Sequence, residues 1–226
     1  MTTVDAPLPA SIGRLLRETV YEQLREDIIS CKLAPGTEIR EAELAARFDM
    51  SKSPVRDALM RLEREGLVIT SPRQGYRVAP VSLSDVLDMF HLRAALERAC
   101  MERIVLHASD EQLLALDAFR SFDAAAWPGG FVDFNRAFHR RVAELGANTR
   151  MRDQLLDLID LMDRAIRMSV ANISKGDPKL LVNEHCAIID AVQARAIKRA
   201  QRLAERHVVA AGKRVSNAIS RSLIAG

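Results

Sequence analysis

The 226 residues suffice for one large or two modest cores, and 33 Lys and Arg against 30 Asp and Glu leave a net charge of +3, too small to argue for a polyanionic partner on bulk charge alone. Three cysteines, Cys31, Cys100 and Cys186, are far apart and odd in number, which excludes a disulfide frame or a zinc-ribbon spacing and fits a reducing cytoplasm. The opening Met1 to Ser11 has no basic stretch ahead of an apolar one, and no segment approaches the ~20 apolar residues that span a membrane, so a soluble intracellular protein is expected.

Residues 1–12 are expected to be disordered and 13–79 to form the first domain. Tyr21, Leu24 and Ile28 recur at helical spacing, as in a supporting helix. Glu41 to Phe48 is a short strong helix former, and Asp49 to Lys52 separates it from a second helix, which is a helix-turn-helix layout. Ser53 and Pro54 read as N-cap and first helical residue, because proline lacks the N–H that a first turn leaves unused. At ~100° per residue, Val55, Ala58, Leu59 and Leu62 share one apolar stripe, while Ser53, Arg56, Met60 and Arg64 face away from it. Gly66 can end that helix, Leu67 to Thr70 and Tyr76 to Val78 read as strands, and Ser71 to Gly75 as the turn between them. Three helices and a small hairpin make a winged helix-turn-helix. Residues 11–80 carry 12 Lys and Arg against 11 Asp and Glu, a net of only +1, so the local placement of Lys52, Arg56, Arg64 and Arg73 argues for DNA, not the overall charge.

The run Leu33 to Thr37, Glu43 to Ala45, Ser51 to Leu59, Leu62-Glu63, Glu65 to Val68 and Gly75 resembles the N-terminal domain of GntR-family bacterial transcription regulators, over roughly residues 14 to 80. The resemblance implies DNA contact by Arg40, Ser51, Lys52, Ser53 and Arg56, with a wing of Arg73, Gln74 and Gly75 at the minor groove. Two positions depart from the family pattern. Lys52 stands where arginine is usual, so it loses the bidentate fork, and Asp49 stands where glycine is common, which aspartate tolerates in a left-handed position.

Residues 80–84 read as a linker. Beyond it strand signals vanish, and 85–223 reads as an all-α antiparallel bundle with helices near 84–107, 110–123, 130–146, 149–173, 178–194 and 195–222. Ser109 to Gln112 has capping-box spacing. Bundles build sites from side chains that project inward from facing helices, and the polar candidates are Asn135, His139, His185 and His207. Asn135 and His139 lie four apart, with β-carbons ~6 Å from one another on one face. Three imidazoles and an amide oxygen would suit a divalent metal such as Zn, Ni or Mn.

Leu92 to Glu97, Asn135 to His139, Glu184 to Ile188 and Arg206 to Val208 resemble the FCD effector-binding domain of the FadR-like branch of the same family. The resemblance implies a metal held by His139, His185 and His207, with Asn135 in a slot where an acid is usual, and a small carboxylate completing the coordination. Arg93, at helical spacing with Met89, Leu96 and Cys100, is either a clamp for that carboxylate or the partner of Glu97 four residues on. Arg164 and Arg167 are further candidates to face the site, and His91 and His107 are ordinary helix residues.

The expected function is a ligand-responsive, sequence-specific regulator: a homodimer on a pseudo-palindromic operator in a bacterial cytoplasm, a repressor released when the carboxylate binds. One alternative makes the helical domain a dimerisation module only. Another, a metal-dependent hydrolase or lyase, is disfavoured because Asn135 cannot act as a base and no H-E-x-x-H, G-x-S-x-G or P-loop pattern occurs, so no enzymatic activity is expected.

Overall fold

The computed structural model describes residues 10–72, 75–146, 148–172 and 178–225. Its chain divides into two compact units, Met1–Pro80 and Val81–Gly226. Helix α1 spans Ala10–Ile29, so residues 10–12 are helical where disorder was expected. α2 is Glu41–Arg47 and α3 is Lys52–Arg64. The core of this unit is Val20, Leu24, Ile28 and Ile29 of α1 against Val55, Ala58, Leu59 and Leu62 of α3, the stripe that the periodicity picks out. A buried carboxylate ties α2 to α1: Asp27 accepts from Arg47 at 2.8 Å and from Gln23 at 3.0 Å.

The start of α3 differs from expectation. Its N-cap is Ser51, not Ser53, and Pro54 is the third helical residue. Because all N–H groups of the first turn lack helical partners, proline fits there as well as at the first position. Asp49 does adopt the left-handed conformation, with φ 51°, at the turn between α2 and α3. At the other end Gly66, with φ 70°, lets the Leu67 N–H reach the Leu62 carbonyl and its own N–H reach that of Glu63, a Schellman stop.

Strands β1 (Glu38–Ile39), β2 (Val68–Ser71) and β3 (Gly75–Val78) form an antiparallel sheet in the order β1-β3-β2. The wing is therefore three-stranded, because Ile39 pairs with Tyr76 on the far side of the expected hairpin. β1 has only two residues, too short for any alternation to announce it.

The second unit holds α4 (Leu83–His107), α5 (Asp110–Leu114), α6 (Gly130–Leu145), α7 (Thr149–Asn172), α8 (Pro178–Gln193) and α9 (Ile197–Ala225). α4 opens with Ser82 accepting from the Asp85 N–H, two residues before the expected domain start. The helix expected over 110–123 is broken: after α5, with its Ser109–Gln112 capping box, the chain tightens into a 3₁₀ turn over Ala115–Phe119 and unwinds. α4 packs along α9, and Gly212 permits it: a β-carbon there would lie 2.9 Å from the Phe90 ring. One core gathers Met101, Ile104, Leu116, Phe134, Phe138 and Leu155, and a second gathers Val86, Phe90, Met162, Val208 and Ile219.

Candidate functional site

Three apolar stripes each carry one imidazole inward. On α6 the buried face is Phe134, Phe138 and Val142 with His139; on α8 it is Val182, Ile188 and Ile189 with His185; on α9 it is Ala200, Ala204 and Val208 with His207. The three histidines are 1%, 0% and 3% exposed, and each has a ring nitrogen within 4.8 Å of those of the other two. His139 Nε2 and His207 Nε2 approach to 3.2 Å. His185 stacks on Phe138 with ring centroids 3.9 Å apart, and neither of its buried nitrogens has a hydrogen-bond partner among the described residues.

The outer nitrogens explain the aim of two rings. Glu97 of α4 lies 2.9 Å from His139 Nδ1, and Glu184 of α8 lies 2.6 Å from His207 Nδ1. A carboxylate behind Nδ1 accepts a hydrogen bond from an N–H on that side and so favours the tautomer whose Nε2 points inward as a lone pair, the usual outer arrangement of a metal-bound histidine. Two inward lone pairs 3.2 Å apart repel unless a proton or a cation lies between them. Burial, and then the Arg93 charge, hold the His139 imidazole down at about 4, so that it is neutral at physiological pH. Burial likewise pushes His185 well below the ordinary value, as do His207 and His139 beside it. Burial opposes ionisation of Glu97, but His139 and Arg93 outweigh it and hold the carboxyl at about 2. The donor set is what a borderline divalent cation requires: three imidazoles, two of them oriented by carboxylates, and one without a partner among the described residues.

His139 also lines a small pocket with Arg93, Val132, Asn135, Arg136, Ile159, Asp163 and Ile166. Arg93 is 3% exposed and donates its Nε to Glu97 at 2.7 Å, so the ion pair left open by the sequence exists, on the wall of the pocket. Arg136 donates to Asp160 at 2.8 Å, and Arg167 donates its Nε to the buried Asp163 at 2.7 Å.

On the first unit, Ser51, Lys52, Ser53 and Arg56 are exposed at the start of α3. The Arg56 guanidinium is held by Glu41 of α2 through two bonds, Nε to Oε1 at 2.9 Å and Nη2 to Oε2 at 2.7 Å. Arg40, the residue before α2, is exposed and pairs loosely with Glu38 and Glu43. Gly75 has φ 98°, and a β-carbon on it would lie 2.9 Å from the Ile39 carbonyl oxygen, so the close pass of β1 requires glycine there whatever the wing touches. Arg73 and Gln74 lie outside the described residues.

Residues 16–78 match the model of bacterial regulatory proteins of the gntR family, and residues 88–210 match that of the FCD domain. The chain belongs to the GntR family, with an FCD domain. Among its relatives in Escherichia coli, the HTH-type transcriptional repressor GlaR is 30% identical, covering 84% of this chain and 90% of that one, and the HTH-type transcriptional repressor RspR is 28% identical, covering 80% of each. Among solved structures, a GntR regulator from Rhodococcus sp. RHA1 aligns with a TM-score of 0.74 at 21% identity, covering 88% of this chain and 96% of that one. E. coli McbR/YncC aligns at 0.72 and 18%, covering 85% and 93%. The structural likenesses carry the winged helix and the helical domain, and the family and its named relatives are DNA-binding transcriptional regulators and not enzymes. No helix among the described residues is long and apolar enough to cross a membrane.

Within this GntR-family frame, the structure brings His139, His185 and His207 together and puts Asn135 and Arg93 on the adjoining pocket. His91 and His107 are exposed, as ordinary helix residues are. Sequence reasoning missed the carboxylates that orient the histidines. Glu97 was visible only as a possible partner of Arg93, and Glu184 only as the neighbour of His185. Nothing in linear spacing pairs Glu97 with His139, 42 residues on, or Glu184 with His207, 23 residues on.

Proposed function

We propose that the chain is a cytoplasmic, homodimeric regulator whose helical domain binds a divalent metal through His139, His185 and His207, senses a small carboxylate there, and thereby leaves a pseudo-palindromic operator. The observation that carries this reading is His185. A buried imidazole whose two nitrogens lack partners among the described residues is costly, by roughly 1–3 kcal/mol per orphaned group, and it faces two other ring nitrogens. A cation bound at that point supplies ligand bonds to all three rings and a positive centre for an anionic effector. Asn135 lines the pocket beside His139 and offers a neutral oxygen, so the effector meets a centre less shielded than an aspartate would leave it. Glu97 and Glu184 keep His139 and His207 oriented, and Arg93 offers the incoming carboxylate a charged donor on the pocket wall.

DNA contact is assigned to Arg40, Ser51, Lys52, Ser53 and Arg56, with Arg73, Gln74 and Gly75 in the wing. The change of affinity follows if the effector binds one arrangement of the dimer's DNA-binding domains better than another. The repressor sign agrees with the names of RspR and GlaR.

The test is elemental analysis of the purified protein, followed by melting of chelator-treated protein with Zn, Ni or Mn added back, with and without a panel of small carboxylates. A metal-dependent rise in melting temperature that is lost in His185→Ala, and a further rise with one carboxylate only when metal is present, is the expected result. A carboxylate response that persists unchanged in metal-free protein removes the metal from the sensing step. No response to either leaves the helical domain as a dimerisation module.

A further inference from the structure

We propose that Glu41 is a positioning residue for base reading: it grips one edge of the Arg56 guanidinium and turns the opposite edge toward a guanine in the major groove. Four of the five N–H groups of a guanidinium form two forks: a side fork, Nε with the adjacent terminal nitrogen, and an end fork, one N–H from each terminal nitrogen. Glu41 occupies the side fork with both carboxylate oxygens, at 2.9 and 2.7 Å. The end fork is left, and its two parallel donors match O6 and N7 of guanine.

Further observations favour a base over a phosphate. The ion pair cancels most of the Arg56 charge while leaving its directional donors, and Glu41 repels a phosphate brought to the same place. The anchor is better held than the reader: the Glu41 side chain is 21% exposed and that of Arg56 58%. Glu41 is itself fixed as the first residue of α2, where an acid is favoured by the unpaired N–H groups of the first turn. Its carboxyl is held below the usual range, first by the bond to Arg56. Lys52 has no fork to offer, so directional reading by this helix falls to Arg56.

The inference rests on α3 being the DNA-reading helix. The full-length protein is used to select preferred sites from a random-sequence duplex library, and 7-deazaguanine, which lacks the N7 acceptor, is then placed at each guanine in turn. The wild type is expected to lose affinity about tenfold at one symmetry-related guanine, within the range for one bidentate contact. Glu41→Gln should shrink that loss to under about threefold while binding to unrelated duplexes strengthens and becomes more salt-dependent, as Arg56 is freed for phosphates. In an Arg56→Ala background the 7-deazaguanine loss should vanish, and adding Glu41→Gln should not restore a sensitive guanine. Melting curves of Glu41→Gln and Glu41→Asp check that α2 remains folded.

Two results overturn the proposal. One is Glu41→Gln strengthening all duplexes alike with the 7-deazaguanine loss intact; the other is Arg56→Ala weakening all sequences equally with no sensitive guanine in the wild type. Failure of the underlying reading looks different: Arg56→Ala and Lys52→Ala would then leave binding to the library untouched.

Discussion

Glu97 lies between two buried partners, and its removal is the sharpest test of the geometry of the proposed metal site. Its carboxylate accepts from Arg93 Nε at 2.7 Å and from His139 Nδ1 at 2.9 Å, with all three side chains 3% exposed or less. Glu97→Ala leaves a guanidinium buried without its counter-charge, a loss of about 3–5 kcal/mol. It also leaves an imidazole N–H without an acceptor, which brings the total toward the upper end of that range. The assay is urea unfolding followed by circular dichroism on chelator-treated protein. Arg93→Met combined with Glu97→Leu removes both charges at similar volume, and should recover all but roughly 1–3 kcal/mol, the share of the unpaired His139 N–H. Glu97→Gln keeps the shape but weakens the hold on His139, and should lower zinc affinity roughly 10–100-fold in chelator competition. If Glu97→Ala unfolds within about 1 kcal/mol of wild type, or if the double substitution is no better than the single one, then the buried pair does not carry the load assigned to it.

Other consequences are measurable in the same protein. His185→Leu should abolish the metal-dependent rise in melting temperature without lowering that of the metal-free protein, since it removes two orphaned polar atoms from the core. Acid should weaken the metal-free helical domain through His139. Its folded-state pKa of about 4 lies below the ordinary 6.5, so the unfolded chain takes up the proton first; the stabilisation is whole above pH 6.5 and is lost as pH falls toward 4. The amount is about 3 kcal/mol, read from unfolding at stepped pH, and a flat profile between pH 6.5 and 4 would contradict it. Leu59→Ala, at a fully buried position between α3 and α1, should destabilise the DNA-binding unit by roughly 2–5 kcal/mol and reduce operator binding through unfolding, with the metal response of the helical domain retained.

Much of this architecture was legible in advance because it rests on local physics. The stripe Val55, Ala58, Leu59 and Leu62 is a periodicity, Gly66 is a stop, and Ser109 with Gln112 is a cap; each involves residues within two turns of one another, and each is present as expected. The failures share a different character. The cap falls at Ser51 and not at Ser53 because proline satisfies the same rule at several positions of a first turn, so the motif does not choose among them. β1 escaped because two residues carry no alternation. The break after Leu114 followed from Phe119 and Leu116 needing to turn into the core beside Phe134 and Phe138, a tertiary demand that helix propensity does not register.

The histidine cluster shows where such legibility ends, and why the Asn135 departure is less damaging than it reads in the sequence. In the proposed metal site, with Asn135 as an inner ligand, asparagine in place of an acid would remove the only negative charge of the inner set. The structure supplies charge one bond further out: Glu97 behind His139 and Glu184 behind His207, each within 3 Å of a ring nitrogen. A carboxylate hydrogen-bonded to the far nitrogen makes an imidazole a stronger donor, so part of the missing charge is returned through two rings. Arg93 and Arg214 draw on the same carboxylates, at 2.7 and 3.4 Å, and set how much is returned. It follows that Asn135→Asp should raise metal affinity by less in the wild type than in a Glu97→Gln background, where the outer charge is gone. Equal gains in the two backgrounds, measured by chelator competition, would mean that inner and outer carboxylates do not compensate one another and that Asn135 alone sets the affinity of the site.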